Sequence, residues 1–146
     1  MNSAKDGHDS IIFLESISEI SSNQLEGFFV GWPNPPSSEI LLKILRNSLH
    51  CVIAFDTRTK RVIGFVNCIS DCILSAYIPL VEVLPEYQHQ GIGTELIKRM
   101  LEITSKYYMT DLTCDESMSS FYEKMEMTAG TSMSRRNYNR QSGLFT

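Results

Sequence analysis

Residues Leu74 to Tyr107 read LSAYIPLVEVLPEYQHQGIGTELIKRMLEITSKY, and their pattern decides the fold. An apolar run from Ile78 to Leu84 gives way to Pro85-Glu86-Tyr87, then to Gln88-His89-Gln90-Gly91-Ile92-Gly93, then to a helical pattern. A strand that passes through a glycine turn into a helix leaves the first N–H groups of that helix unpaired. Those donors, at the positive end of the helix dipole, make a site for phosphate oxygens. Glycine suits the turn because it admits positive φ and lets a ligand approach the backbone closely.

Ile92, Leu96, Ile97, Met100, Leu101 and Ile103 form a broad apolar stripe on the helix. Glu95 with Arg99 and Glu102 with Lys106 are i, i+4 pairs in the favourable order, each contributing about 0.2–0.5 kcal/mol. Such a helix lies on a sheet and leaves its N-terminus to a ligand. Two common nucleotide motifs fail here. The dinucleotide pattern would need a third glycine where Leu96 stands, and a P-loop would need a lysine within Gly93-Thr94-Glu95.

The string resembles motif A of the GCN5-related N-acetyltransferase family, Arg/Gln-x-x-Gly-x-Gly/Ala, with Gln88, Gly91 and Gly93 in the pattern and Val83-x-Pro85-x-Tyr87 leading into it. The resemblance implies a pyrophosphate of acetyl-CoA held by the backbone of Gln88, His89, Gln90, Gly91, Ile92, Gly93 and Thr94. It also implies that Val81 and Val83 ladder with the pantetheine amides where two central strands splay apart.

The rest of the chain is read around this unit. Ser10 to Glu15 is a strand and Asn23 to Val30 a short helix, broken by Gly31-Trp32-Pro33-Asn34-Pro35-Pro36, which should form a rigid exposed loop. Ser37 or Ser38 caps a second helix, with Glu39 in its first turn and an end near Asn47. His50 to Phe55 and Arg61 to Ile69 form a hairpin in which Gly64 marks a bulge or a close approach. After the central helix, Met109 to Cys114 is a strand parallel to the one before it. Ser117 to Met125 is a short helix, and Thr128 to Tyr138 supplies a last strand. The order β-α-α-β-β-β-α-β-α-β is that of the acetyltransferase fold: an α/β (α+β) single domain, residues 1–146, with a mixed sheet of about six to seven strands flanked by helices. Residues 1–9 and 139–146 read as loose tails.

Composition is that of an ordinary folded domain, 42% hydrophobic and 21% charged. A net charge of −4 speaks against a nucleic-acid surface. There is no apolar run of membrane-spanning length and no signal-peptide core in MNSAKDGHDS, so a soluble, cytoplasmic protein is expected. Cys51, Cys68, Cys72 and Cys114 form no C-x-x-C pair, and with only His8, His50 and His89 beside them no metal spacing is present. Three of the four cysteines lie in apolar strand-like runs, where a buried, inert thiol is the usual state.

Acetyl transfer to an amine needs a held thioester, a base, an oxyanion donor and a proton for the leaving thiolate. Phe121-Tyr122-Glu123-Lys124 resembles the family's motif B, F-Y-E-K-x-G-F, which implies Tyr122 as the acid beside the thioester sulfur. The other reading of Phe121 and Tyr122 is helix-to-sheet packing. Glu126 stands where that motif has the glycine that closes the helix, and Asp115 where members often carry an asparagine bonded to the pantetheine arm. The family's usual strand carboxylate falls near Tyr77 and Pro79, neither of which is an acid. Glu82 is the only acid inside the strand, and it is either the base, directly or through water, or a solvent-facing or strand-bonding side chain, leaving water as base. Phe28, Phe29 and Trp32 fall where the family varies its acceptor pocket. The phenylalanines read as core, Trp32 as either substrate wall or loop anchor, and Tyr77 as a second substrate residue. Arg135-Arg136 reads as interface or, more simply, as solvated charge.

The expectation is therefore an N-acetyltransferase that moves an acetyl group from acetyl-CoA to a primary amine by direct attack in a ternary complex. No metal and no acyl-enzyme are invoked, with Cys114 the one thiol near the active end. The alternative is a CoA-binding module of the same fold without transfer. The resemblance also makes a homodimer an expectation, because dimers are common in the family.

Overall fold

The computed structural model describes residues 10–144; the loose N-terminus expected for 1–9 lies outside the described residues, as do 145–146. Six strands form one mixed sheet: β1 (Ile11–Leu14), β2 (His50–Asp56), β3 (Arg61–Ser70), β4 (Ser75–Ile78), β5 (Val81–Val83) and β6 (Met109–Leu112). The order is β1-β2-β3-β4-β6 with β5 also paired to β3, and every pairing is antiparallel except β4 with β6. That parallel pair is the crossover expected around the central helix.

Among the described residues, three α-helices flank the sheet: α1 (Ser38–Asn47), α2 (Ile92–Thr104) and α3 (Ser119–Glu123). Ser37 caps α1 by accepting from the Ile40 N–H at 3.2 Å, and Leu41, Leu42 and Leu45 bury its inner face. In α2, Ile92, Leu96, Ile97 and Met100 are buried as their spacing requires. The Glu95–Arg99 pair forms at 2.7 Å, but α2 ends at Thr104, so Lys106 leaves the helix and lies over the Tyr107 ring instead of meeting Glu102.

Gly64 is both a close approach and a neighbour of a bulge. The β2–β3 register shifts between Ala54 and Phe55, which leaves Ile63 without an opposite residue. A Cβ on Gly64 would stand 3.2 Å from Leu96 Cδ1 and 3.3 Å from the Glu82 carbonyl. Its neighbour Phe65 points the other way and meets the Phe28 ring edge-on at 5.1 Å. The alternation puts α2 on one face of the sheet and the 20–30 segment on the other.

Four expectations are corrected. Asn23 to Val30 is not a helix: only Ser22–Leu25 form a 3-10 turn, because Gly27 and Phe29 adopt positive φ of 94° and 62°. Thr128 to Tyr138 forms no strand; it is rich in Ser, Thr and Gly, and its one large apolar residue before Tyr138, Met133, is 93% exposed, so it has no face to bury. The C-terminal tail is docked up to residue 144: Tyr138–Arg140 make a 3-10 turn and Gln141 Oε1 accepts from the Asn34 N–H at 2.9 Å. Of the cysteines only Cys51 and Cys68 are buried, while Cys72 and Cys114 are exposed.

Glu126 closes α3 as a glycine would. It takes φ 66°, with its N–H on Glu123 O at 3.0 Å and the Met127 N–H on Tyr122 O at 3.3 Å. A side chain in the left-handed region costs about 1 kcal/mol or more. Glu126→Gly should therefore raise the unfolding free energy by about 0.5–1 kcal/mol, read as a higher urea midpoint at unchanged slope. A lower midpoint would show that Glu126 stabilises the turn by other means.

Candidate active site

Pro79 opens the site. It has no N–H to continue a ladder, so β4 ends at Ile78, opposite Leu112 of β6, and β5 restarts at Val81 paired only with β3. The expected continuous strand is thus split in two. Asn67, buried in β3, staples the break: its N–H donates to Leu80 O at 3.2 Å, and its Oδ1 accepts from the Leu80 N–H at 3.1 Å. Between β5 and the segment 113–115 the sheet gapes into a cleft of about 820 Å³, within the range of small-molecule sites.

The α2 end of the cleft suits an anion. Gly91 caps α2 with φ 82°, and a Cβ there would meet nothing within 4 Å, so the space before the helix is open. Among the described residues, the N–H groups of His89, Gln90, Gly91, Ile92, Gly93 and Thr94 meet no protein acceptor outside the helix, and the first-turn donors have none inside it. Gln88 departs from expectation. Its N–H already bonds Pro85 O at 3.3 Å, and its side-chain amide donates to Val83 O at 3.0 Å, so the free donor row begins at His89.

Tyr87, just before this loop, is tied to the hairpin. Its hydroxyl donates to Asp56 Oδ2 at 2.9 Å, and Asp56, fully buried, also accepts from the Arg58 N–H at 2.9 Å. Burial alone would raise the Asp56 carboxyl; the Arg58 N–H, the Tyr87 hydroxyl and the Arg58 charge together outweigh it and hold it below the ordinary range.

At the two ends of β5 the Asn67 N–H donates to Leu80 O and the Leu84 N–H to Ile63 O, so by the antiparallel alternation Glu82 bonds Phe65. The backbone N–H and C=O groups of Val81 and Val83 therefore point away from β3, toward the cleft. The Val83 C=O accepts from the Gln88 side chain, and the Val81 groups and the Val83 N–H remain for an extended amide chain to add as a strand.

Glu82 and Tyr122 line the same cleft. The Glu82 carboxylate is half-buried and accepts from the Phe29 N–H at 2.8 and 2.9 Å. Burial pushes its pKa up, more strongly than the N–H groups of Phe29 and Val30 pull it down. Phe29 takes its left-handed φ at this contact, a cost of about 1–3 kcal/mol for a bulky residue, and it turns its amide onto the acid. Tyr122 is buried on α3, and its hydroxyl meets no protein partner among the described residues. Burial first, then Cys114 beside it, raises the phenol further. Cys114, Asp115 and Phe121 lie on the same wall.

Trp32 lines the far end, with its ring 4.9 Å from Phe29. Phe28 and Phe29 are core, as read from the sequence, though Phe29 also faces the cleft. Tyr77 does not line it; its hydroxyl is spent on Thr113 Oγ1 at 3.1 Å. Two groups that line the cleft escaped the sequence reading. The Phe29 amide acts through backbone conformation, for which Gly27 and Gly31 were the only local signals. Arg136, read as interface or solvated charge, is exposed as that reading expects and also lines the cleft, from a segment without periodic pattern.

Among the described residues, no His, Cys, Asp and Glu cluster could hold a metal, and no helix is long and apolar enough to cross a membrane.

An acetyltransferase (GNAT) domain model matches residues 46–126. The chain is 40% identical, at TM-score 0.89, to the crystal structure of a protein from Deinococcus radiodurans described as an acetyltransferase, covering 94% of this chain and 95% of that one. A GNAT family acetyltransferase structure from Streptococcus pneumoniae matches at TM-score 0.70 and 27% identity over 87% and 98%. A chloroplastic GCN5-related N-acetyltransferase of Arabidopsis thaliana is 28% identical over 86% of this chain and 57% of its own length. The chain spans about half the length of the curated plant relatives it matches.

Proposed function

The chain belongs to the GCN5-related N-acetyltransferase family, whose reaction is acetyl transfer, and on that premise we propose that it moves the acetyl group of acetyl-CoA to a primary amine by direct attack in a ternary complex. The observation that carries this reading is one cleft with an unpaired N–H row at one end and, further in, the Glu82 carboxylate and the Tyr122 hydroxyl.

Acetyl-CoA, when bound, supplies an acyl group activated as a thioester. The N–H groups from His89 to Thr94 hold its phosphates, aided by the α2 dipole. The free backbone groups of Val81 and the Val83 N–H, with Asp115 opposite, align its amide arm. An alkylamine is mostly protonated near neutral pH, so Glu82 takes a proton from the acceptor nitrogen, directly or through water. Tyr122 holds a proton at its phenol oxygen and gives it to the departing sulfur. Counted from the ammonium, a C–N bond replaces a C–S bond and two protons leave nitrogen. One goes to Glu82 before attack and on to solvent; the other leaves after attack and restores the Tyr122 phenol, whose own proton has gone to sulfur.

Calorimetry with acetyl-CoA, CoA and NAD tests the premise. Wild type should bind the first two and not NAD. Gly91→Asp, which puts a carboxylate before the N–H row, should weaken acetyl-CoA binding about tenfold or more. Wild type that binds no acetyl-CoA would overturn the reading. Binding without amine-dependent release of CoA thiol, across a broad amine panel, would favour the CoA-binding module instead.

A further inference from the structure

The segment after α3 reaches the wall of the cleft at Arg136. Residues 128–137 run without regular structure, and the chain is then pinned twice. The Asn34 N–H donates to Gln141 Oε1 at 2.9 Å, and Gly143 sits so close to α1 that a Cβ would come within 2.8 Å of Ile40 Cγ2. Asn34 is two residues from Trp32, so the strap lies at the Trp32 end, on the sheet face opposite α2. It carries Arg136 into the cleft wall, where it is the only lysine or arginine among the described lining residues. Arg136 has no carboxylate within ion-pair distance among the described residues; the ion pairs there involve Arg58, Arg61 and Arg99.

The same end holds Glu82, fixed by the Phe29 amide, and the Trp32 ring against Phe29. A carboxylate and a guanidinium that share a cleft without pairing invite a ligand carrying both complementary charges. The guanidinium fork matches a carboxylate or a phosphate in two-point contact. We propose that the acceptor is an amine bearing an anionic group, carboxylate or phosphate, with its nitrogen at Glu82 and its anion on Arg136. This rests on the acetyltransferase reading above and specifies its acceptor.

The test uses the full chain and matched acceptors: the common amino acids against their amides and decarboxylated amines, and O-phosphoethanolamine against ethanolamine, scored by thiol release. The anionic member of at least one pair should show a kcat/KM about tenfold or more above its neutral counterpart, the scale of one charge-assisted hydrogen bond. Arg136→Gln should erase that preference, Arg136→Lys should keep part of it, and Arg135→Gln, outside the cleft, should leave it intact. The carboxylate and phosphate arms say which anion is read. Turnover of neutral amines alone, or equal loss on both members of a pair in Arg136→Gln, overturns the proposal. So does a raised KM for acetyl-CoA alone in that variant, which would place Arg136 on the nucleotide, and so does no turnover of any anionic amine while acetyl-CoA still binds. Failure of wild type to bind acetyl-CoA is a different result and strikes the acetyltransferase reading itself.

Discussion

Tyr122→Phe is expected to lower the single-turnover acetylation rate about 10²- to 10³-fold, the range of one positioned acid, with acetyl-CoA affinity nearly unchanged. The substitution removes one oxygen and keeps the ring, so the edge-on contact with Phe121, 4.9 Å between centroids, survives. Stability should move little, because the hydroxyl has no protein partner among the described residues to lose. The phenol is also well suited to hold a proton near neutral pH, since burial raises it above its ordinary value. Single-turnover measurement is the proper readout, because product release can mask chemistry in kcat. An unchanged rate in the variant, with thiols that are poor leaving groups included, would remove Tyr122 from the reaction and leave it a packing residue.

Glu82→Gln is expected to lower kcat/KM about 10²-fold or more and to remove the acidic limb of its pH profile. The sign follows from the environment. Burial raises the Glu82 carboxyl above the ordinary carboxylate range, and a base acts only when ionised. Wild-type kcat/KM should therefore fall as pH drops through that raised value, and the glutamine variant should lack this limb. Glutamine retains an oxygen for the Phe29 N–H, so the cradle is kept and the effect isolates the proton transfer. The stability linkage runs the other way from the activity. A raised native value favours the protonated carboxyl in the fold, so wild-type stability declines as pH rises through that value, and the variant should not show this decline. A variant that keeps the acidic limb would assign it to another group and leave water as the base.

Features carried by neighbouring residues were legible in the chain. Ile92 to Thr104 buries its stripe as the spacing requires, Gly91 takes the positive φ that its place before the helix suggested, and Ser37 caps α1. Gly64 did mark a close approach. Failures arose where a local pattern met a distant demand. Asn23 to Val30 has helical composition, yet the Phe29 N–H goes to a carboxylate 53 positions away and the helix does not form. Glu126 is a local exception: it looked wrong for a helix closure and adopts it nonetheless, with Glu123 O and Tyr122 O accepting the two N–H groups that such a turn presents.

By itself the sequence determined the strand–turn–helix unit and the N–H row it exposes, because backbone geometry there depends on residues within one or two turns of each other. It also determined the family, through Gln88, Gly91, Gly93 and the Phe121-Tyr122-Glu123-Lys124 string. Only the tertiary structure decided that Pro79 splits the strand into two ladders, that Glu82 turns inward onto the Phe29 amide, and that the C-terminal strap brings Arg136 across to the same cleft. Those outcomes depend on which groups meet across the sheet, and no periodicity along the chain encodes a hydrogen bond between residues so far apart.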